Sequence, residues 1–224
     1  ATQLIHNALW VPRGLYAIVK LADGTYTEAV EIQACHGPGM IKLVGNVSTP
    51  ANVTVTSAGI TLAVLTPVKL RIESVTLRTT LASRACVASR SGGYVEIGPG
   101  VIFGATSNAS WHLAAYSKGL IVCLNDYTIS GQCEHHYYTE WGGTIQADNL
   151  AITLTGTPTI SGTFTQARVA SVIVCRNTTF TGAFSSASAR ADSESNSCID
   201  TGGGGLTYFP GNSNPTTANG GVYV

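Results

Sequence analysis

The feature that most constrains this chain is a two-residue hydrophobic alternation, written in short and closely spaced runs. It reads Val53-x-Val55, Ile60-x-Leu62-x-Val64, Leu70-x-Ile72, Val75-x-Leu77, Val95-x-Ile97, Val101-x-Phe103 and Leu150-x-Ile152-x-Leu154. Successive side chains of an extended strand point to opposite faces, so each run can bury one face and leave the other outside. Gly, Pro, Asn or Ser separates the runs, and no helical periodicity interrupts the middle of the chain. Thr (28) and Ser (19) make up about a fifth of the 224 residues, while charged residues are only 11%. Thr suits β geometry, and so little charge leaves almost nothing for the solvated face of a helix. The pattern predicts an all-β protein.

Hairpins would want two-residue Asn-Gly or Asp-Gly turns between alternating strands. Only Asp23-Gly24 and Asn219-Gly220 qualify, and neither sits cleanly between two such strands. Internal copies favour a solenoid instead. Ala115, Ile121, Val122, Cys123 and Asn125 recur 52 residues later as Ala167, Ile173, Val174, Cys175 and Asn177. Ile129 and Gly131 recur 51 residues later as Phe180 and Gly182, and a related TPTISG lies at 157–162. Spacings that drift over about 20–30 residues fit coils of a β-helix with loops of variable length.

Composition also bounds the partners. Twelve basic and twelve acidic residues give zero net charge, which argues against nucleic acid or an anionic membrane as the main partner. The longest apolar runs are about five residues, as in Leu120 to Leu124, too short to span a bilayer. The opening ATQLIHNALWVPRG has no basic stretch followed by an apolar one, so it does not read as a secretory signal. Cys35, Cys86, Cys123, Cys133, Cys175 and Cys198 lack ligand-pair spacing, and most sit beside apolar residues. They read as buried free thiols rather than disulfides or a zinc site. The four Asn-x-Ser/Thr matches, at Asn46, Asn52, Asn108 and Asn177, are what a Thr/Ser-rich chain produces by chance.

Two segments carry a resemblance. Leu21, Asp23, Gly24 and Tyr26, followed by Gly37, Gly39, Ile41, Leu43, Gly45 and Asn46, resemble the opening coils of bacteriophage and prophage right-handed parallel β-helix proteins of the pectate-lyase-like type. The ending, with Pro210, Gly211, Thr216, Thr217, Gly220, Gly221 and Tyr223, is similar to the short C-terminal signature of many such proteins. The match is specific over about residues 15–65 and 205–224 and general between them. It implies a right-handed parallel β-helix over residues 15–200, an N-terminal cap or anchor over 1–14 containing Trp10, and a Gly-rich C-terminal cap or oligomerisation segment over 201–224. It also implies a homotrimer, because a β-helix exposes sheet edges at its ends that caps or oligomerisation must cover.

Chemistry is sparse in this sequence. There is no G-x-S-x-G, no H-E-x-x-H, no phosphate loop and no dinucleotide fingerprint, and Gly202 to Gly205 lacks the residues that would follow in a phosphate loop. No cofactor or metal is expected. One dense cluster stands out: Glu134-His135-His136-Tyr137-Tyr138-Thr139-Glu140-Trp141. As a projecting loop it would bind sugar, with Tyr137, Tyr138 and Trp141 stacking on rings and Glu134 and Glu140 accepting hydroxyl hydrogen bonds. A catalytic version pairs Glu134 or Glu140 with Asp126 or Asp148 as glycosidase carboxylates. The alternative is a subunit-packing loop. His135 and His136 are adjacent, so on a strand they face opposite sides and make a poor metal pair. Asn108, Trp111, His112 and Tyr116 form a second polar-aromatic stretch, at a loop tip or in the core. Asp192, Glu194 and Asp200 lie in a Ser-rich stretch read as surface.

The expected function is that of a structural virion component, a β-helical tail fibre or tailspike-like receptor-binding protein that contacts host-surface polysaccharide. It would associate with other virion proteins, without nucleic acid binding or membrane insertion. Two alternatives stay open: a capsid-decorating protein, and a polysaccharide lyase or glycosidase on the same scaffold. The non-enzymatic reading is preferred because carboxylates are few and the 113–224 half is net acidic, where a lyase would want basic groups.

Overall fold

The structure is a computed structural model that describes residues 11–32, 37–186 and 189–224, so the readings that fall on Trp10 and Cys35 lie outside the described residues. These residues form a parallel β-solenoid. Every strand pairing is parallel, and the strands fall into a nine-stranded sheet, a seven-stranded sheet, an eight-stranded sheet and a small two-stranded one. Each coil but the last passes through the three large sheets in turn, so strands that pair are separated by a whole coil in sequence. One interior ladder on the nine-stranded sheet runs Ala17, Ile41, Leu70, Val95, Ile121, Ile145, Ile173, Ile199 and Tyr223, with steps of 24 to 29 residues. At roughly 4.8 Å per strand the stack rises about 38 Å over these eight steps.

The alternation is read out directly. Val53, Val55, Leu62, Val64, Leu70, Ile72, Val75, Leu77, Val95, Ile97, Val101, Phe103, Leu150, Ile152 and Leu154 are all buried in one continuous core. Ile60 instead packs outside the eight-stranded sheet. Stacking like on like buries each interior side chain between the coils above and below, which contributes about 1.5–3 kcal/mol per large side chain. Cys86, Cys123, Cys133 and Cys175 are buried free thiols in this interior, and Cys198 is a free, half-buried thiol.

The 52-residue repeat is two coils. Ile121 pairs with Ile145, which pairs with Ile173, so the copies share one ladder. The 51-residue continuation is out of register. Ile129 stacks on Leu154, while Phe180 stacks on Ile152, two positions away. The ISG and FTG similarity is therefore compositional. The solenoid also runs past residue 200, because Thr216–Ala218 and Val222–Tyr223 are its last strands. Within the same segment Phe209 inserts beneath Phe164 and Phe180 and closes the end of the core.

The corner leaving the eight-stranded sheet repeats at six successive coils. Two residues with positive φ occupy it each time: Ser91-Gly92, Ser117-Lys118, Trp141-Gly142, Val169-Ala170, Ser195-Asn196 and Asn219-Gly220. Two adjacent left-handed residues, closed by a backbone hydrogen bond such as that from Gly119 N–H to the Tyr116 carbonyl at 2.8 Å, make a type I′ turn. Such turns usually close hairpins; here they bend the chain from one sheet into the next. The following residue lies close under the neighbouring coil. A Cβ on Gly143 would sit 2.1 Å from the Ala115 carbonyl oxygen, so only glycine fits.

Candidate functional site

The 134–141 segment is a strand, His135–Glu140, in the middle of the eight-stranded sheet, and so it is not the projecting loop the sequence suggested. It pairs with Trp111–Tyr116 on one side and Thr165–Ala167 on the other. The run HHYYTE shows no aliphatic alternation, because aromatic and polar side chains take the interior positions here. Tyr137 occupies the inward ladder between Leu113 and Thr165 and is wholly buried, so no external ligand reaches it. Tyr138 faces outward, yet is only 5% exposed. Its ring stacks on Trp111 at 4.6 Å, and its hydroxyl donates to Glu140 Oε2 at 3.2 Å. Trp141 stands at the corner, 56% exposed with φ of 54°, 6.4 Å from the Tyr116 ring. Glu134 precedes the strand at its opposite end, where desolvation raises its carboxyl pKa. Of the five candidates, the structure brings together Tyr138, Glu140 and Trp141, and separates Tyr137 and Glu134 from them.

The outward aromatics form a satellite core. Trp111, Tyr116 and Tyr138 lie over a floor of Ala85, Ala88 and Ala114. The stretch containing Trp111, His112 and Tyr116 is thus strand and packing rather than a loop tip. Arg90 places its guanidinium 4.8 Å from the Tyr116 ring centroid, a cation–π contact. Desolvation, with the Glu140 carboxylate beside it, pushes the Tyr138 hydroxyl up to about 12. Further along the same face Arg168 pairs with Glu194, and Gln166 Nε2 donates to Asp192 Oδ2 at 3.0 Å. The accessible part is therefore Trp141 with the polar row of Glu140, Arg168 and Glu194 beside it.

The carboxylates proposed as partners for Glu134 and Glu140 are elsewhere. Asp126 and Asp148 lie at the corner between the nine- and seven-stranded sheets. There Asp126 Oδ1 accepts the Ala151 amide and Asp148 Oδ1 the Arg176 amide, each at 2.7 Å, so they cap the next coil's backbone. Among the described residues no group of three or more His, Cys, Asp or Glu is placed to hold a metal ion. No helix among them is long and apolar enough to cross a membrane.

A buried polar chain crosses the core, and sequence reading did not find it. His112 Nε2 lies 3.0 Å from the Gly104 carbonyl, His112 Nδ1 is 3.0 Å from His136 Nδ1, and His136 Nε2 is 2.7 Å from the Tyr127 hydroxyl. The Tyr137 hydroxyl completes it against Tyr127. A carbonyl only accepts, so His112 Nε2 carries the proton and donates to Gly104. The neutral ring's Nδ1 then accepts from His136 Nδ1–H. His136 Nε2 accepts from Tyr127 O–H, and the Tyr127 oxygen accepts from Tyr137 O–H. Every member is satisfied with both rings neutral, and desolvation accordingly lowers the His112 pKa to about 4 and that of His136 well below its ordinary value. The signal in the sequence is the 24-residue step from His112 to His136, which is one coil. His135, on the opposite face, has its Nδ1 2.6 Å from the Thr163 carbonyl, and burial lowers its pKa to about 4.

No family model, no curated protein and no solved structure matches this chain.

Proposed function

We propose that this chain is a non-enzymatic structural component of a bacteriophage or prophage virion, a tail fibre or tailspike-like rod that contacts host-surface polysaccharide. The resemblance over residues 15–65 and 205–224 supports the origin, and the parallel solenoid is compatible with it. The observation that carries the recognition role is Trp141, a large exposed aromatic on a rigid corner beside the polar row of Glu140, Arg168 and Glu194. A fixed aromatic face with flanking hydrogen-bonding groups is the usual chemistry for a sugar ring. Binding to a glycan array that is lost in Trp141→Ala, with the far-UV circular dichroism unchanged, supports the reading; equal binding by both proteins refutes Trp141 as the contact.

A homotrimer is part of this proposal. The outer side of the nine-stranded sheet's C-terminal half carries Leu120, Val122, Val172 and Val174, interspersed with Thr144, Gln146 and Asp200, and Leu124 and Val222 are each 44% exposed. Aliphatic side chains grouped on one outer face in this way support contact with protein. Light scattering should give a mass near three chains, and a mass of one chain removes the trimer. Gold-labelled antibody on particles separates the tail from the capsid-decorating position.

A further inference from the structure

The outward side of the seven-stranded sheet carries a column of Thr25, Thr54, Thr76, Ile102, Thr128, Thr153 and Thr181, one residue from each coil. Over its N-terminal coils lies a groove of about 450 Å³, lined by hydroxyl residues, Ala105 and a single charged side chain, Arg78. Thr25, Thr54 and Thr56 make no side-chain hydrogen bond to described residues, so their hydroxyls face the groove available in both senses, donor and acceptor. Thr80 and Thr106 instead donate to the Ser57 and Gln132 carbonyls, which fixes the far wall.

Arg78 is set in place by its neighbour. It stacks in register over Gly104 of the next coil, and a Cβ at Gly104 would meet Arg78 Nε at 2.7 Å and Cγ at 2.8 Å. The stem therefore lies flat on bare backbone and the guanidinium is held along the face. No carboxylate lines the groove, and Arg78 has no ion pair with a described residue. This differs from Arg71, Arg168 and Arg176, each paired with a carboxylate on the other faces.

We infer that this groove is a binding site for an acidic saccharide, with Arg78 on the carboxylate or sulfate group and Thr25, Thr54 and Thr56 on the ring hydroxyls. A planar guanidinium recognises either oxyanion through two parallel hydrogen bonds. A polyhydroxy ligand matches the three free hydroxyls of Thr25, Thr54 and Thr56, while a single cation is too few for the phosphate row of a nucleic acid. The groove lies wholly in residues 1–112, where basic residues outnumber acidic ones eight to five. The inference rests on the glycan-recognition reading above but assigns a different face and a charged ligand class.

The test titrates the full chain, followed by amide NMR, with three probes: galacturonate oligosaccharide, dextran sulfate oligosaccharide and unsulfated dextran oligosaccharide. Binding of one or both acidic probes is expected, with shifts at Thr25, Thr54 and Thr56; which one binds distinguishes carboxylate from sulfate. Arg78→Gln should weaken it about tenfold or more, the usual effect of losing a charge-assisted hydrogen bond. Gly104→Ala keeps the charge but displaces the guanidinium, and should weaken binding as well. Equal binding of neutral dextran, unchanged affinity in Arg78→Gln, or no binding of either acidic probe overturns the assignment. So does dissociation of an oligomer by Arg78→Gln, which would make this face a subunit interface. Trp141→Ala separates the two readings: acidic-probe binding that survives it supports the groove alone, and array binding that disappears with it while Arg78→Gln is silent supports Trp141 alone.

Discussion

Acidification from pH 7.5 to 5.0 should remove a large part of the stability of this solenoid, through three imidazoles. His112, His135 and His136 are buried and neutral, with the first two lowered to about 4 and the third well below its ordinary value, in each case chiefly by desolvation. An unfolded histidine has a pKa near 6.5. The folded-state value is depressed, so the contribution of each neutral ring is complete above 6.5 and is lost as pH falls toward the folded value. At 1.36 kcal/mol per pKa unit, the 1.5 units between 6.5 and 5.0 cost about 2 kcal/mol per ring, or about 6 kcal/mol for three. Glu134, raised by desolvation, acts in the opposite sense, but it is one group against three. Asp23, Glu73 and Asp200 have lowered pKa values, so their losses fall at more acidic pH, outside this window. The assay is urea unfolding at pH 7.5, 6.0 and 5.0. With a denaturant slope of about 2–3 kcal/mol/M, the midpoint should move down by about 2 M or more. Midpoints that stay constant from pH 7.5 to 5.0, or a folded-state His136 that titrates near 6.5 by NMR, would falsify this account of the buried chain.

Three further outcomes are expected. Tyr127→Phe should cost about 2–4 kcal/mol more than Tyr137→Phe in urea unfolding, because it orphans both the His136 Nε2 acceptor and the Tyr137 donor, whereas loss of the Tyr137 hydroxyl strands neither; equal costs would contradict the assigned direction of the chain. Val169 holds a left-handed φ of 52° on a β-branched residue, so Val169→Asn should stabilise by about 1 kcal/mol, and a thermal midpoint that falls would count against strain at that corner. Among the described cysteines, Cys198 should label first with a thiol reagent in the native state, since Cys86, Cys123, Cys133 and Cys175 are buried and desolvation raises their thiols, Cys175 to about 12; comparable rates at all five would show that the coils open readily.

Much of the coil architecture is legible in the sequence because a solenoid repeats one local rule. The Val, Ile and Leu alternation marks the inward faces, and the copy from Ile121 to Ile173 marks two coils of one ladder. The six type I′ corners were far less visible. Only Asn219-Gly220 advertises itself, whereas Val169-Ala170 adopts the same backbone because the coils on either side impose it. The aromatic segment misled for a related reason. HHYYTE carries no aliphatic period, so its residue types suggested a wet loop, while the pairing with Trp111–Tyr116 and Thr165–Ala167 made it a central strand.

The sequence alone determined the class: extended strands, one continuous aliphatic interior, small uncharged outer residues and no helix. Each of these follows from the chemistry of neighbouring residues along the chain. Tertiary structure decided which polar and aromatic groups face inward, because that depends on what the adjacent coil offers 24 to 29 residues away. His136 is an interior residue because Tyr127 and His112 complete its hydrogen bonds, and Arg78 is an outward, fixed cation because Gly104 leaves room for its stem. Neither partner is a sequence neighbour, so only the stacking of coils brings the pairs together.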